Sequence, residues 1–186
     1  DRLAARGACF GETAGWERAN WFAPPGVSPA YEYSYGRQNW FAHSAEEHKA
    51  VRERVGLFDQ SSFGKFVLEG SDAEAILDRI CANVVAVPVG RVVYTQWLND
   101  RGGIEADLTV TRESETRFLI VTSAASSTRD LAWLQRHIPS DARAVAFDAT
   151  SSYAVLGLMG PRSRELLSQL TDTDVSNGAF PFATAQ

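Results

Sequence analysis

Two carboxylates, Glu105 and Asp107, are the residues whose spacing most directly suggests chemistry. Residues 104–112 alternate between apolar and polar types, which predicts a half-buried strand with both carboxylates on its polar face. Side chains two residues apart on a strand lie roughly 6–7 Å from each other, a separation at which two carboxylates can share acid–base work. A strand face that simply meets water has the same pattern, so the spacing alone leaves both interpretations open.

Other kinds of active site lack their usual sequence signals. No GxGxxG or GxxxxGK[ST] motif is present, so nothing indicates a dinucleotide or nucleotide phosphate site. The histidines His43, His48 and His137 are scattered, and no GxSxG nucleophile motif occurs. Cys9 and Cys81 form no CxxC pair, so we expect no metal site and no redox motif.

The composition is typical of a globular protein: 186 residues, of which 45% are hydrophobic and 22% are charged. The net charge of −5 provides no general attraction for nucleic acid. No apolar run approaches the roughly 18 residues that a membrane span requires. We therefore expect neither nucleic acid nor a membrane as a partner. The sparse cysteine favours a cytoplasmic location, or the mitochondrial matrix in a eukaryote.

Periodicity and turn residues predict the elements that would position the carboxylates. Helices are predicted from Ser44 and after Ser71, because each serine is followed three residues later by a glutamate, as in a capping box. Strands are predicted on both sides of the glycine-containing turn at residues 99–103. The remaining predicted strands lie at 65–69, 117–122, 144–148 and 153–159, with further helices from 126 or 127 and after 161. This order predicts an α+β fold, an antiparallel sheet with flanking helices.

Residues 1–42 differ from the rest of the chain, because they are rich in aromatic residues, glycine and proline and show little periodicity. We interpret them as an extended arm that another surface must cover, since soluble monomers tend to avoid large exposed apolar patches. The aromatic residues in question are Trp16, Trp21, Phe22, Tyr31, Tyr33, Tyr35, Trp40 and Phe41.

The segment YTQWLNDRGGIEADLTV, residues 94–110, changes the balance between these interpretations. It resembles the signature of the glycine-cleavage T-protein (aminomethyltransferase) family: an aromatic strand, a turn ending in Gly-Gly-Ile, an acidic residue and an apolar strand. The resemblance covers about residues 43–186 and includes GLFDQSSFGK at 56–65 and VLGLMGP at 155–161. The segment FGETAGWERANWF at 10–22 is similar to the connector between the flavin and folate regions of dimethylglycine and sarcosine dehydrogenases.

This resemblance implies tetrahydrofolate as the cofactor and a small N-methyl amine, dimethylglycine or sarcosine, as the one-carbon donor, with 5,10-methylene-tetrahydrofolate as the product. FAD would be bound only by a separate flavin-dependent dehydrogenase domain of the parent protein. The resemblance also implies that Asp107 is the catalytic carboxylate near the reactive folate nitrogens, and that Tyr94, Asp107 and Glu105 bind the cofactor. Tyr94 could stack on the folate or pack in the core. The family often has two adjacent acids, whereas Ala106 precedes Asp107 here, which weakens a two-carboxylate mechanism.

We expect two parts: a connector from a preceding flavin-domain region at 1–42, and the N-terminal part of a folate-binding domain at 43–186. Because family domains continue beyond the segment at 180–186, we expect the second part to be truncated and inactive by itself. Two alternatives stay open: a non-catalytic remnant or assembly module of the same fold, and a folate-dependent demethylase with another methyl donor. The folate interpretation further requires that Asp107 face a cavity large enough for a pteridine.

Overall fold

The computed structural model describes residues 2–186, which form two compact units. One unit comprises the chain up to Gln60 together with Leu156–Thr173, and the other comprises Ser61–Val155 together with Asp174–Gln186. Within this range, no helix has both the length and the apolar character needed to cross a membrane.

The strands are β1 Ala8–Thr13, β2 Trp16–Phe22, β3 Gly56–Asp59, β4 Gly64–Gly70, β5 Val92–Leu98, β6 Ile104–Arg112, β7 Arg117–Thr122, β8 Ala144–Asp148 and β9 Leu156–Met159. The helices are α1 Phe41–Glu53, α2 Ala73–Ile80, α3 Ser127–Arg136 and α4 Ser163–Leu167. All the strand pairs are antiparallel. The predicted α+β fold with an antiparallel sheet and flanking helices is therefore confirmed.

The first unit contains the hairpin β1–β2, the pair β3–β9, and the helices α1 and α4. Trp21 is only 1% exposed and forms a small core with Cys9 and Ala23, against which Tyr31 and Trp40 pack. Residues 8–22 are thus a paired hairpin with its own apolar cluster, and the interpretation of this part of 1–42 as an extended arm is wrong. The hairpin has no clear period-2 pattern because a bulge interrupts the alternation of β2: its extra residue, Asn20, lies opposite the step from Cys9 to Phe10.

The second unit is built on a five-stranded sheet in the order β5-β6-β7-β4-β8. Apolar side chains from alternate positions of these strands form one core with the inner faces of α2 and α3. Phe66, Trp97, Phe118 and Ile120 are all completely buried in that core, so the sheet is a rigid support for whatever lies on its other face. The bounds predicted for β6, β7 and β8 agree with those observed.

Neither predicted capping box forms. Helix α1 begins at Phe41, three residues before Ser44, because the Ser44 N–H already donates to the carbonyl of Trp40 at 2.9 Å. Helix α2 follows Asp72, whose carboxylate accepts instead from the backbone N–H of Arg143 at 2.8 Å. The serine-to-glutamate spacing is common at helix starts, but here Ser44 already lies inside its helix and the residue before α2 bonds to a distant part of the chain.

A β-bulge changes the alternation of β6 at its start. Trp97 pairs with Ala106 and Leu98 pairs with Ile104, so Glu105 is the extra residue of the bulge. Ile104 is consequently 68% exposed, although the alternation predicted that it shares the buried side with Ala106. Downstream of the bulge the predicted pattern is confirmed, with alternate residues buried through residue 110.

Candidate functional site

The face of the sheet turned away from α2 and α3 carries the residues singled out in the sequence. On β5, Tyr94 is 59% exposed and Gln96 is half-buried, while Thr95 between them is completely buried. On β6, Asp107 is exposed. Gln96 lies directly opposite Asp107 in the ladder, and Tyr94 lies opposite Thr109. Directly paired residues bring their Cβ atoms to about 4.5–5.5 Å, so these side chains form one contiguous patch.

The turn between β5 and β6 is held by a single side chain, Asn99. Its Oδ1 accepts the backbone N–H groups of Arg101 at 3.0 Å and Gly103 at 2.9 Å. Its Nδ2 donates to Oε1 of Glu105 at 2.7 Å. One oxygen of Glu105 is therefore used to order the turn, which distinguishes this carboxylate from Asp107 in chemical environment.

The bulge in β6 is anchored from α3. The carbonyl of Glu105, which the bulge removes from the regular ladder, accepts a hydrogen bond from Arg129. Arg129 also donates to the carboxylate of Asp130 at 3.0 Å. Asp130 is 1% exposed and accepts from Thr122 at 2.6 Å and from Ser126 at 2.7 Å. These hydrogen bonds connect β6, β7 and α3. On β6 the connection is made at Glu105, two residues before Asp107.

On the sheet face turned away from α2 and α3, here called the open face, the Asp107 carboxylate affects the ionisation of Tyr94. The neighbouring Asp107 carboxylate, followed by burial, raises the pKa of Tyr94 above its usual value. A smaller, opposite effect comes from a contact with Gln96, which lowers the pKa of Tyr94. The phenol is therefore a neutral hydrogen-bond donor at physiological pH and is available to the carboxylate.

Two cavities lie elsewhere in the molecule. One is lined by residues of α2 and of the α3–β8 loop, among them Asp72, Arg79 and His137, and the other by residues 2–6. Neither cavity lies beside Asp107, and the carboxylate is exposed, so the expectation that Asp107 faces a pteridine-sized cavity is not confirmed. Since tight ligand binding depends on enclosure, any planar ligand on this face needs further residues to cover it.

Three of the residues that build this face were not singled out from the sequence. Gln96 lies two residues after Tyr94 on the same strand, so the sequence could have predicted that both side chains point to the same face. Asn99 precedes two glycines in a turn, where asparagine commonly bonds to the backbone two residues on. Arg129 had no usable signal, because it bonds to Glu105, which lies 24 residues before it in the chain. No group of three or more acidic, histidine or cysteine residues in the range 2–186 could hold a metal ion.

Cys81 follows α2 and is the one thiol for which a chemical property can be predicted. Burial raises its pKa to about 11, only partly offset by contacts with Trp97 and Thr95. Because the thiolate is the reactive form, we expect Cys81 in the folded chain to react with an aromatic disulfide reagent far more slowly than an unfolded thiol at pH 7–8. Rapid reaction of one thiol in the native chain, absent in Cys81→Ser, would contradict this prediction.

The whole chain, residues 1–186, matches the family described as GCVT N-terminal domain. It is 51% identical over 178 residues to a 4-methylaminobutanoate oxidase (formaldehyde-forming) of Paenarthrobacter nicotinovorans, covering 96% of this chain and 22% of that protein. It is 39% identical over 174 residues to the mitochondrial dimethylglycine dehydrogenase of Rattus norvegicus, covering 93% of this chain and 20% of that protein.

A solved structure is similar over most of the chain. The glycine cleavage system aminomethyltransferase T from Bartonella henselae superposes with a TM-score of 0.73 at 26% identity, covering 90% of this chain and 41% of that one. The chain thus spans about a fifth of the length of the two curated relatives and less than half of the solved structure.

Proposed function

Because the chain belongs to the family of the GCVT N-terminal domain, we propose that it binds tetrahydrofolate and captures a one-carbon unit from an oxidised N-methyl amine. It would do so as the aminomethyltransferase-like part of a larger flavin-dependent dehydrogenase or oxidase. The observation that carries this proposal is the exposed Asp107 carboxylate beside the Tyr94 phenol on a rigid, open sheet face.

The chemistry of this face fits a folate. Tetrahydrofolate presents flat aromatic rings and N–H groups, and it would supply two nitrogens able to hold a one-carbon unit as 5,10-methylene-tetrahydrofolate. Tyr94 offers an exposed ring for stacking, and Asp107 offers a hydrogen-bond acceptor for an N–H group. Glu105 offers one oxygen beyond the one bonded to Asn99 and is proposed as a weaker, peripheral contact.

In this proposal Asp107 is the catalytic residue. The product requires two carbon–nitrogen bonds at two N–H groups, while the carbon–nitrogen double bond of the oxidised amine breaks. Each new bond releases a proton that a carboxylate within hydrogen-bond reach can accept, and of the two protons one goes to the departing amine and the other to solvent. The same negative charge stabilises cationic character nearby. Once each proton has been passed on, the carboxylate is regenerated. Because Asp107 lies on a strand supported by a buried core, its position is better defined than that of a loop residue.

The enclosing walls would be provided by the parts of the parent protein for which this chain has no counterpart. Curated relatives are four to five times longer, and an exposed carboxylate on an open face is what remains when a pocket is only partly built. We therefore propose that residues 43–186 are part of a folate-binding domain, and that the chain by itself is inactive.

The experiment measures how the one-carbon unit is partitioned by the full-length parent protein. N-methyl amino acids, namely dimethylglycine, sarcosine and 4-methylaminobutanoate, are oxidised with and without tetrahydrofolate, and both formaldehyde and 5,10-methylene-tetrahydrofolate are quantified. We expect tetrahydrofolate to divert most of the one-carbon unit from formaldehyde to the folate. The name of one relative specifies formaldehyde as its product, so both products must be followed.

The same measurement distinguishes the alternatives. An assembly module or non-catalytic remnant predicts equal formaldehyde release with and without tetrahydrofolate, and no thermal shift of the parent protein at millimolar ligand. A folate-dependent demethylase with another methyl donor predicts a folate-induced thermal shift but no diversion of carbon from any of the three amines. Unlike both alternatives, the proposed function requires a thermal shift and the diversion of carbon together.

We also propose that residues 1–42 dock on the flavin-dependent dehydrogenase region of the parent. Tyr33 is 82% exposed and Tyr35 is fully exposed, and the loop that carries them has internal contacts. Tyr33 stacks on Tyr31 with ring centroids 5.7 Å apart, and Gln38 bonds to both the N–H and the carbonyl of Ser34. Exposed tyrosines on a rigid loop are typical of the anchor residues of protein interfaces.

Replacing both tyrosines tests the docking proposal. We expect Tyr33→Ala with Tyr35→Ala to weaken association of this chain with the separately produced remainder of the parent by about 10- to 100-fold, measured by calorimetric titration. Val145→Ala removes an exposed apolar side chain from the second unit and should leave the association unchanged. Equal affinities of the double variant and the original chain would contradict docking through this loop.

A further inference from the structure

On the open face, the antiparallel pair β5–β6 brings Gln96, Tyr94 and Asp107 together. Gln96 is paired directly with Asp107, and Tyr94 is paired with Thr109, one position further along the same face. Tyr94 is therefore the diagonal neighbour of Asp107, at a distance that a tyrosine side chain spans. Thr95, between the two β5 residues, is buried on the opposite face, which confirms that Tyr94 and Gln96 share an orientation.

The three side chains have complementary hydrogen-bonding groups. Ionised aspartate only accepts, the tyrosine hydroxyl can both donate and accept, and the glutamine amide has a donating and an accepting end. The contact of Tyr94 with Asp107 raises the pKa of the phenol, whereas the contact with Gln96 lowers it. A phenol that donates to an anion has a raised pKa, and an amide that donates to the phenol oxygen lowers the pKa, so both directions agree with the neighbourhood that the strand register gives these side chains.

We propose that Tyr94 and Gln96 are positioning residues that hold one oxygen of the Asp107 carboxylate, so that the other oxygen is aimed at the ligand. The proposal rests on the proposed function and deepens it. In this arrangement the amide of Gln96 donates to the hydroxyl of Tyr94, and the hydroxyl donates to Asp107. A carboxylate on an exposed strand position would otherwise rotate freely about its side-chain bonds. Tyr94 thereby contributes through its hydroxyl, beyond any stacking or packing by its ring.

The neighbouring residues favour this role for Tyr94 and Gln96 over Glu105. Glu105 carries a negative charge and cannot donate to Asp107, and its Oε1 is already bonded to Asn99 at 2.7 Å. The side chain of Arg129 is directed to Asp130 and to the carbonyl of Glu105. The group on β6 that acts on the Tyr94 hydroxyl is Asp107, which lies diagonally across the ladder from it.

The test uses the full-length parent with tetrahydrofolate and an N-methyl amine. We expect Tyr94→Phe, which keeps the ring and removes the hydroxyl, to lower the rate of 5,10-methylene-tetrahydrofolate formation at saturating folate by about 10- to 100-fold. The dissociation constant for tetrahydrofolate should change less than about threefold, because the stacking surface remains. Gln96→Leu should produce a smaller decrease in the same rate, since it removes the donor to the hydroxyl but leaves the hydroxyl in place.

A matched control is available in the same unit. The Tyr153 hydroxyl also contacts a charged partner, Arg117, and raises its pKa. Arg117 is next to Phe118, which pairs with Arg112, and Arg112 lies five residues, or roughly 17 Å, along β6 from Asp107. We expect Tyr153→Phe to leave the rate of folate product formation unchanged, which separates loss of any tyrosine hydroxyl from loss of the one beside Asp107.

The possible outcomes separate this inference from the proposed function. If the original parent forms no folate product, the proposed function fails. If it does form product, and Tyr94→Phe retains the full rate while Asp107→Asn loses it, the positioning role is overturned and the proposed function stands. A Tyr94→Phe variant that loses thermal stability as well as rate would show that the hydroxyl has a structural role, and it would overturn the positioning role. The positioning role requires a normal melting temperature with a reduced saturated rate.

Discussion

Replacing Asp107 with asparagine in the full-length parent is expected to lower the formation of 5,10-methylene-tetrahydrofolate by about 10²- to 10⁴-fold. The amide is nearly the same size as the carboxylate but can neither accept a proton nor stabilise a neighbouring cation. Since the flavin chemistry is proposed to occur in another domain, amine oxidation should continue, and the one-carbon unit should appear as formaldehyde. Measuring both products in one reaction therefore shows how the one-carbon unit is divided between formaldehyde and 5,10-methylene-tetrahydrofolate.

The control for Asp107→Asn is the same charge change on a remote part of the unit. Asp141 is exposed in the loop between α3 and β8, on the helical side of the sheet, and Asp141→Asn should leave the product ratio unchanged. Folate product formation at the original rate in Asp107→Asn would show that the carboxylate is not catalytic. A parallel loss in both variants would instead indicate a general effect of net charge.

Replacing Gly70 with alanine is expected to destabilise the second unit by about 3–5 kcal/mol. Gly70 ends β4 with a φ of +142°, a backbone conformation that residues with a side chain rarely adopt. A Cβ atom at this position would lie 2.0 Å from the carbonyl oxygen of Arg143 and 2.5 Å from the Cα of Ala144. These are backbone atoms at the start of β8, so relief of the overlap would separate β4 from β8. Urea denaturation monitored by tryptophan fluorescence measures the loss.

Gly102 offers a control that separates backbone strain from steric overlap. It also has a positive φ, +76°, but no heavy atom lies within 4 Å of the position of an added Cβ. Gly102→Ala is therefore expected to cost only about 1–2 kcal/mol, the penalty for the left-handed conformation. Similar costs for the two variants would mean that the close approach of β4 and β8 contributes little.

These two predictions concern different requirements of the same sheet. The approach of β8 to β4 at Gly70 and Ala144 helps to hold the five-stranded sheet on which β6 is mounted. Asp107 lies on β6, near one edge of the sheet, and the β4–β8 pair forms the other edge. The position of the Asp107 carboxylate nevertheless depends on the integrity of the whole sheet. A catalytic residue on a strand thus depends on packing far from the chemistry.

The amino-acid sequence determined the elements of the second unit and the orientation of its main carboxylate. The alternation of β6 and the two glycines before it are local features, and local features specify a strand, a turn and the face on which Asp107 lies. The sequence was less informative about the first unit, because the bulge at Asn20 breaks the alternation of the hairpin β1–β2.

Only the tertiary structure decided which polar groups are partners. Helix α1 begins before Ser44, whose N–H forms part of the helix's own first turn with Trp40, and the Asp72 carboxylate before α2 bonds to the backbone of Arg143, 71 residues away. Glu105 became a bulge residue bonded to Asn99 and Arg129, whereas Asp107 stayed exposed beside Tyr94. The physical reason is that periodicity reports which side of a segment is buried, while the partner of each polar side chain depends on strand register and on packing between residues far apart in the chain.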